Sequence, residues 1–209
     1  SVGKTECWYI LDCPEGATLV VGHNAKDKEE CAKMIHEGRW SEFIREVPIR
    51  KGDFVSIVPG TVHAIKAGVM LLETQQNSDI TYRVYDYDRL SNGRKRELHI
   101  EKSIDVINAP ASPAQDSIHN FANVRKNKPV LMEKSAYYKV WKLVVEDGSE
   151  LQLSREKDFD SSYLLASVVA GSGYINGTAI KKGDHFIVTN ECDSLSFSGD
   201  MEIILSAQI

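Results

Sequence analysis

Arg50-Lys51-Gly52-Asp53-Phe54-Val55-Ser56-Ile57-Val58-Pro59-Gly60-Thr61-Val62-His63 is the stretch on which the fold turns. Lys-Gly-Asp is turn chemistry, the run after it is apolar and β-branched, and Pro59-Gly60 stops that run. The same entry recurs as Lys181-Lys182-Gly183-Asp184, again ahead of a hydrophobic strand, with an Asn176-Gly177 hairpin turn just before it. A turn–strand unit used twice predicts two similar β-barrels. The copies then diverge. His63 follows Pro59-Gly60 in the first, whereas the aligned position of the second is Ser194, with no Pro, Gly or His near it. The second barrel is therefore expected to be free of metal and to serve packing and support.

Working outward, short runs rich in β-branched and aromatic residues fall at 6–11, 18–22, 53–58, 69–76, 80–86, 138–145, 151–153, 163–170, 185–188 and 201–206, each bounded by Gly, Pro, Asn or Asp. Many short strands and few helical patterns predict a mainly β fold, a sandwich or barrel. One region departs from this. Asp27-Lys28-Glu29-Glu30 has the form of a capping box, and Cys31, Met34, Ile35, Trp40, Phe43, Ile44 and Val47 follow at helical spacing with Gly38 as a break. Two short helices are expected over about 27–47. The small, proline-bearing stretch 108–115 reads as a connection, dividing the chain into 1–108 and 109–209.

Composition narrows the function. The 209 residues suit one large all-β domain or two small ones, and a net charge of −5 gives no reason to expect nucleic acid or an anionic membrane as partner. No apolar run reaches a membrane span and no signal-peptide pattern opens the chain. Cys7, Cys13, Cys31 and Cys192 form no CxxC pair, so reduced thiols in a cytoplasmic protein are expected. Ser1 in place of Met reads as a processed or trimmed start.

The chemistry-bearing residues cluster at a few strand ends. Period-two alternation puts Lys4, Glu6, Trp8 and Ile10 on one face of the first strand. There Glu6 can ligate a metal while Lys4 meets an anionic substrate or moves a proton; a solvated Lys/Glu strand end fits the same spacing. Gly3-Lys4-Thr5 also matches the end of a phosphate-binding P-loop, but that loop needs a helix after it, and Cys7-Trp8-Tyr9-Ile10-Leu11 reads as strand. His63 is a second ligand type, or a hydrogen-bonded turn residue. Glu6 and His63 alone leave a zinc site incomplete, and His23, His36, His99, His119 and His185 form no spaced pair. In the run 80–86, Arg83 either faces a polar cavity, where it can clamp a phosphate or stabilise an oxyanion, or pairs with Asp86 or Asp88.

Three strings go further than spacing. Gly3-Lys-Thr-Glu-Cys-Trp-Tyr-Ile-Leu11, Pro59-Gly-Thr-Val-His-Ala-Ile65 and Gln75-Gln-Asn-Ser-Asp-Ile-Thr-Tyr-Arg-Val-Tyr-Asp-Tyr-Asp-Arg89 closely resemble, in order, the short bacterial type I mannose-6-phosphate isomerases, which are cupins. The resemblance implies a mainly β fold of two jelly-roll barrels and a zinc-dependent, reversible conversion of D-mannose 6-phosphate to D-fructose 6-phosphate through an enediolate. It implies Glu6 and His63 as zinc ligands, Arg83 as the active-site arginine, Asp79 as its neighbour near the sugar, and Lys4 as a substrate or proton-transfer lysine; the base is left open between Lys4 and Asp79. It also implies an N-terminal region, bearing the remaining ligands, that residues 1–209 do not contain, so the first barrel is expected to be incomplete and this chain alone to bind zinc weakly with little or no activity. A non-catalytic cupin that binds a sugar or sugar phosphate is the alternative. Glu6, His63 and Arg83 together favour the enzyme; a cupin oxygenase would want a His-x-His pair, which is absent from the sequence. A monomer or homodimer is expected.

Overall fold

The computed structural model describes residues 3–146, 148 and 150–209. Both Lys-Gly-Asp entries fold alike. The Asp53 N–H donates to Arg50 O at 3.1 Å while the Arg50 N–H donates to Asp53 Oδ2 at 2.8 Å. Asp184 and Lys181 repeat the exchange at 3.0 and 2.8 Å. An aspartate that closes its own turn with its carboxylate explains why that residue type recurs at this place.

The chain forms two compact units, the first ending at His119 and the second starting at Asn120, so the stretch 108–115 goes with the first unit. The first unit carries β1 (Glu6–Asp12), β2 (Thr18–His23), β3 (Ile44–Pro48), β4 (Asp53–Ile57), β5 (His63–Ala64), β6 (Met70–Gln75), β7 (Leu90–Ser91), β8 (Arg94–Lys95) and β9 (Ile118–Asn120). One sheet has the order β6-β1-β4-β9, a second β3-β2-β5, and β7 and β8 pair as a ribbon. Alternate residues of the central strands make the core: Trp8 and Ile10 from β1, Leu19 and Val21 from β2, Val55 and Ile57 from β4. Each such side chain contributes about 1.5–3 kcal/mol by leaving water.

Helices lie where the capping signal points, but they stop earlier than expected. Helix α1 (Lys28–His36) starts at Asp27, whose carboxylate accepts the Glu30 N–H at 2.8 Å, and buries Cys31, Met34 and Ile35. Helix α2 (Trp40–Phe43) ends before Ile44. Residues 44–47, expected to continue helical, lie in β3, which pairs with β2 through Leu19↔Val47 and Val20↔Glu46. Ile44 and Val47 stand three apart, a spacing a helix favours, but the ladder to β2 supplies the backbone partners. Helix α3 (Ile100–Val106) packs its Ile104 with Phe43 and the buried face of α1.

A second expectation is corrected: residues 80–86 form no strand. The Arg83 N–H donates to His99 Nδ1 at 3.1 Å, and the His99 N–H donates to Arg83 O at 2.8 Å. Tyr87 and Asp88 then take left-handed backbone (φ 53° and 54°), which breaks an extended run. Tyr85 stacks on Trp40 with ring centroids 4.6 Å apart. The aromatic residues that mimic a strand in sequence are used here to anchor a loop.

The second unit carries β10 (Val130–Lys134), β11 (Tyr138–Val145), β12 (Leu151–Ser154), helix α4 (Arg155–Phe159), β13 (Leu164–Ile175), β14 (Thr178–Lys181), β15 (His185–Val188) and β16 (Ser194–Gln208). Two long strands organise it. β13 pairs with β15 through its first residues and with β14 through its last, while β16 runs beside it. β16 in turn pairs with β12 at its start and with β11 at its end. Within this one seven-stranded sheet the pairing of β13 with β16 shifts register between Val168 and Ala170. Leu143, Phe159, Leu164, Phe197, Ile203 and Leu205 belong to the unit's buried apolar cluster. Lys142 is buried with its ammonium 2.9 Å from Glu202.

All four cysteines are free thiols, Cys7 and Cys31 buried and Cys13 and Cys192 half-buried. No helix among the described residues is long and apolar enough to cross a membrane.

Candidate functional site

The chain is buried on both faces from Thr5 through Ile10 of β1, and Glu6 is a carboxylate within that run, 1% exposed. Leaving a charge so nearly dry requires close partners. The register supplies them. Glu6 sits between Ile57 of β4 and Gln75 of β6, with Glu73 diagonally placed opposite Trp8. The Lys4 ammonium lies 2.6 Å from Glu6 Oε2, 3.8 Å from Glu73 and 2.5 Å from Gln75 Oε1. His63 Nε2 is 2.7 Å from Glu6 Oε1. The imidazole packs edge-on to Trp8, ring centroids 5.5 Å apart, with about a third of its side chain (34%) exposed.

The His63 ring is held by its other nitrogen. Nδ1 lies 2.8 Å from Thr61 O, a carbonyl that can only accept, so Nδ1 carries a proton and Nε2 faces Glu6. Without another cation between them, Nε2 must also be protonated to donate to the carboxylate. The titration of both groups agrees. Burial pushes the Glu6 carboxyl up, but the hydrogen bonds of His63 and Lys4 outweigh it and hold the group at about 2. Burial pulls the His63 imidazole down, and the bond and charge of Glu6 reverse that, so it ends above the ordinary histidine value. Glu73 is raised by burial and by the Glu6 charge beside it.

The sign of the pH dependence follows. A depressed Glu6 stabilises fully above its unfolded value of 4.5 and loses that contribution as pH falls toward about 2. A raised His63 stabilises fully below its unfolded value of 6.5 and loses it as pH rises through the folded value. In the metal-free protein the pair should therefore contribute most between about pH 4.5 and 6.5. Urea midpoints across pH for wild type minus Glu6→Gln should peak in that window, and a flat difference would refute the coupling.

A nitrogen and a carboxylate oxygen facing each other, with the second imidazole nitrogen tied to a carbonyl, is the kind of donor pair zinc takes. It is part of a site: among the described residues no group of three His, Cys, Asp or Glu gathers to hold a metal.

Of the five residues expected to act, the fold brings together Lys4, Glu6 and His63. Arg83 and Asp79 stand apart from that cluster in their contacts. Arg83 is half-buried in the loop and donates through Nη1 to Glu97 O at 3.1 Å, with Nε and Nη2 unpartnered among the described residues. Asp86, weighed as its salt-bridge partner, is instead buried against Arg89 and Arg96. Asp79 is exposed and has no hydrogen bond or ion pair among the described residues. Sequence reasoning missed Gln75, Glu73 and Thr61. Glu73 and Gln75 alternate along β6, but only the register to β1 shows that they face Lys4 and Glu6.

Comparison with known proteins points one way. Residues 131–208, within the second unit, match the sequence family described as mannose-6-phosphate isomerase, cupin domain. The chain is 43% identical to the mannose-6-phosphate isomerase of Streptococcus mutans and 42% identical to the mannose-6-phosphate isomerase ManA of Bacillus subtilis, with 98% of the chain aligned in each case. It superimposes on the crystal structure of a mannose 6-phosphate isomerase from Bacillus subtilis with a TM-score of 0.79 at 36% identity, over 98% of this chain and 64% of that one. The chain spans 64% of the length of the two curated relatives.

Proposed function

We propose, from the premise that this chain belongs to the mannose-6-phosphate isomerase family, that it carries part of the active site of a zinc-dependent aldose–ketose isomerase acting in the cytoplasm on D-mannose 6-phosphate and D-fructose 6-phosphate. The observation that carries the reading is the Lys4–Glu6–His63 cluster, with Nε2 and Oε1 2.7 Å apart at the end of a buried strand. Such a cluster has no packing purpose that an apolar residue at position 6 would not serve better.

Glu6 and His63 would hold the zinc, which when bound supplies a Lewis acid that polarises sugar oxygens and lowers the energy of an enediolate. Lys4 lies beside the metal carboxylate with its ammonium already ion-paired, so it can bind a sugar oxygen or carry a proton between C1 and C2. Arg83, anchored by one nitrogen, keeps the rest of its guanidinium for an oxyanion or phosphate. Asp79, exposed and unpaired among the described residues, is the other candidate base. The first unit, with α1 and α2, would be the metal-binding barrel, and the second the metal-free one.

The reading is tested by following fructose 6-phosphate formed from mannose 6-phosphate in a coupled assay, with and without zinc, on the longest polypeptide that contains this chain. Zinc-dependent turnover is expected there, with little or none from residues 1–209 alone. Tight sugar-phosphate binding without turnover in the longer polypeptide would replace the enzyme by a binding cupin.

A further inference from the structure

The strand end that presents His63 is held at every carbonyl. Pro59 O accepts from Asn108 Nδ2 at 2.7 Å, Gly60 O from the Asn108 N–H at 2.9 Å, Thr61 O from His63 Nδ1 at 2.8 Å, and Val62 O from the Gly22 N–H at 2.7 Å. Two of those four bonds come from one residue. Asn108 lies just beyond α3 and is exposed, yet it grips consecutive carbonyls of the Pro-Gly turn with its side chain and its backbone. The approach is close enough to dictate sequence: at Gly60 (φ +82°) a Cβ would lie 2.5 Å from Val106 O and 2.8 Å from Asn108 Nδ2.

Asn108 is itself anchored. His23, 3% exposed and stacked on Phe43, accepts the Ala25 N–H on Nδ1 at 3.2 Å. Its proton therefore sits on Nε2, which donates to Asn108 O at 2.9 Å. A buried imidazole thus holds Asn108, Asn108 holds Pro59 and Gly60, and the turn sets where His63 meets Glu6.

We propose that Asn108 is a positioning residue for His63, and this rests on the reading of His63 as a metal ligand. Partners beyond the ligands commonly change metal affinity about 10–100-fold. Asn108→Ala and Asn108→Asp both remove the amide donor, while Asn108→Gln keeps it on a longer side chain with room at the surface. Zinc affinity of the protein, measured by competition with a chromophoric chelator, should fall about 10-fold in the first two and recover in part in the third. The ¹⁵N shifts of the metal-free His63 imidazole at fixed pH should depart from the Nδ1-protonated, Thr61-bonded pattern in the first two only. Asn24→Ala, which removes another surface asparagine bonded to the carbonyls of Glu42 and Ile44, is the control that should move neither readout.

Wild-type affinity and wild-type His63 shifts in Asn108→Asp would overturn the proposal. If His63→Ala binds zinc as wild type does, the metal reading fails, and the imidazole shifts still decide whether Asn108 positions the ring. Should Asn108→Ala not fold, the Asp and Gln variants decide the matter by the same two measurements.

Discussion

Glu6→Ala is expected to weaken zinc binding by about 100-fold or more. Structural zinc sites are worth about 10–16 kcal/mol over four ligands, so one carboxylate accounts for about 3 kcal/mol, or two orders of magnitude in affinity. The loss should exceed that simple share. Glu6 also neutralises Lys4, 2.6 Å away, and fixes the direction of His63 Nε2, so its removal leaves two cationic groups facing one another where the metal would sit. Glu6→Gln separates the terms, since it keeps the shape and one oxygen but gives up the charge, and it should fall between wild type and Glu6→Ala. Chelator competition on the longest polypeptide that contains this chain is sufficient to measure both. Equal zinc affinity in all three proteins would remove Glu6 from the site.

Gly171→Ala should destabilise the second unit by about 3–5 kcal/mol, near the upper end of what single substitutions do. Gly171 has φ +71°, where an alanine costs about 1–2 kcal/mol from backbone sterics alone. The larger cost comes from packing: its Cβ would lie 2.0 Å from Asp200 O, a backbone atom of the paired strand that cannot rotate aside. Gly177 has a similar φ of +76° with nothing within 4 Å, so Gly177→Ala isolates the conformational cost at about 1 kcal/mol. Urea unfolding of the two variants beside wild type gives the comparison. Equal losses would show that β13 and β16 can separate at Gly171 without penalty.

Legibility in the sequence tracks how local the cause is. The Lys-Gly-Asp turns are readable because Asp53 and Asp184 close them within four residues, and helix α1 because Asp27 caps it three residues on. The run 80–86 misleads because its aromatic and β-branched content satisfies a strand pattern, while the groups that decide its conformation are His99 and Trp40, remote in sequence. Ile44 and Val47 keep a helical spacing, and the ladder to β2 overrides it. At the site, alternation alone places Glu6 and Lys4 on one face. That Gln75 and Glu73 join them depends on register, and that Asn108 holds the turn depends on a hydrogen bond across 49 positions of chain. Neither leaves a periodic trace.

That β13 and β16 pair with each other and each also with two further strands has a consequence for how the second unit comes apart. A sheet strung only from short strands can lose an edge without disturbing the rest. Here two long backbones carry the whole sheet, so any opening wide enough to free β14 or β12 tugs on strands that also hold β15 or β11. The unit is stitched through, and its amide protons should be released together or not at all.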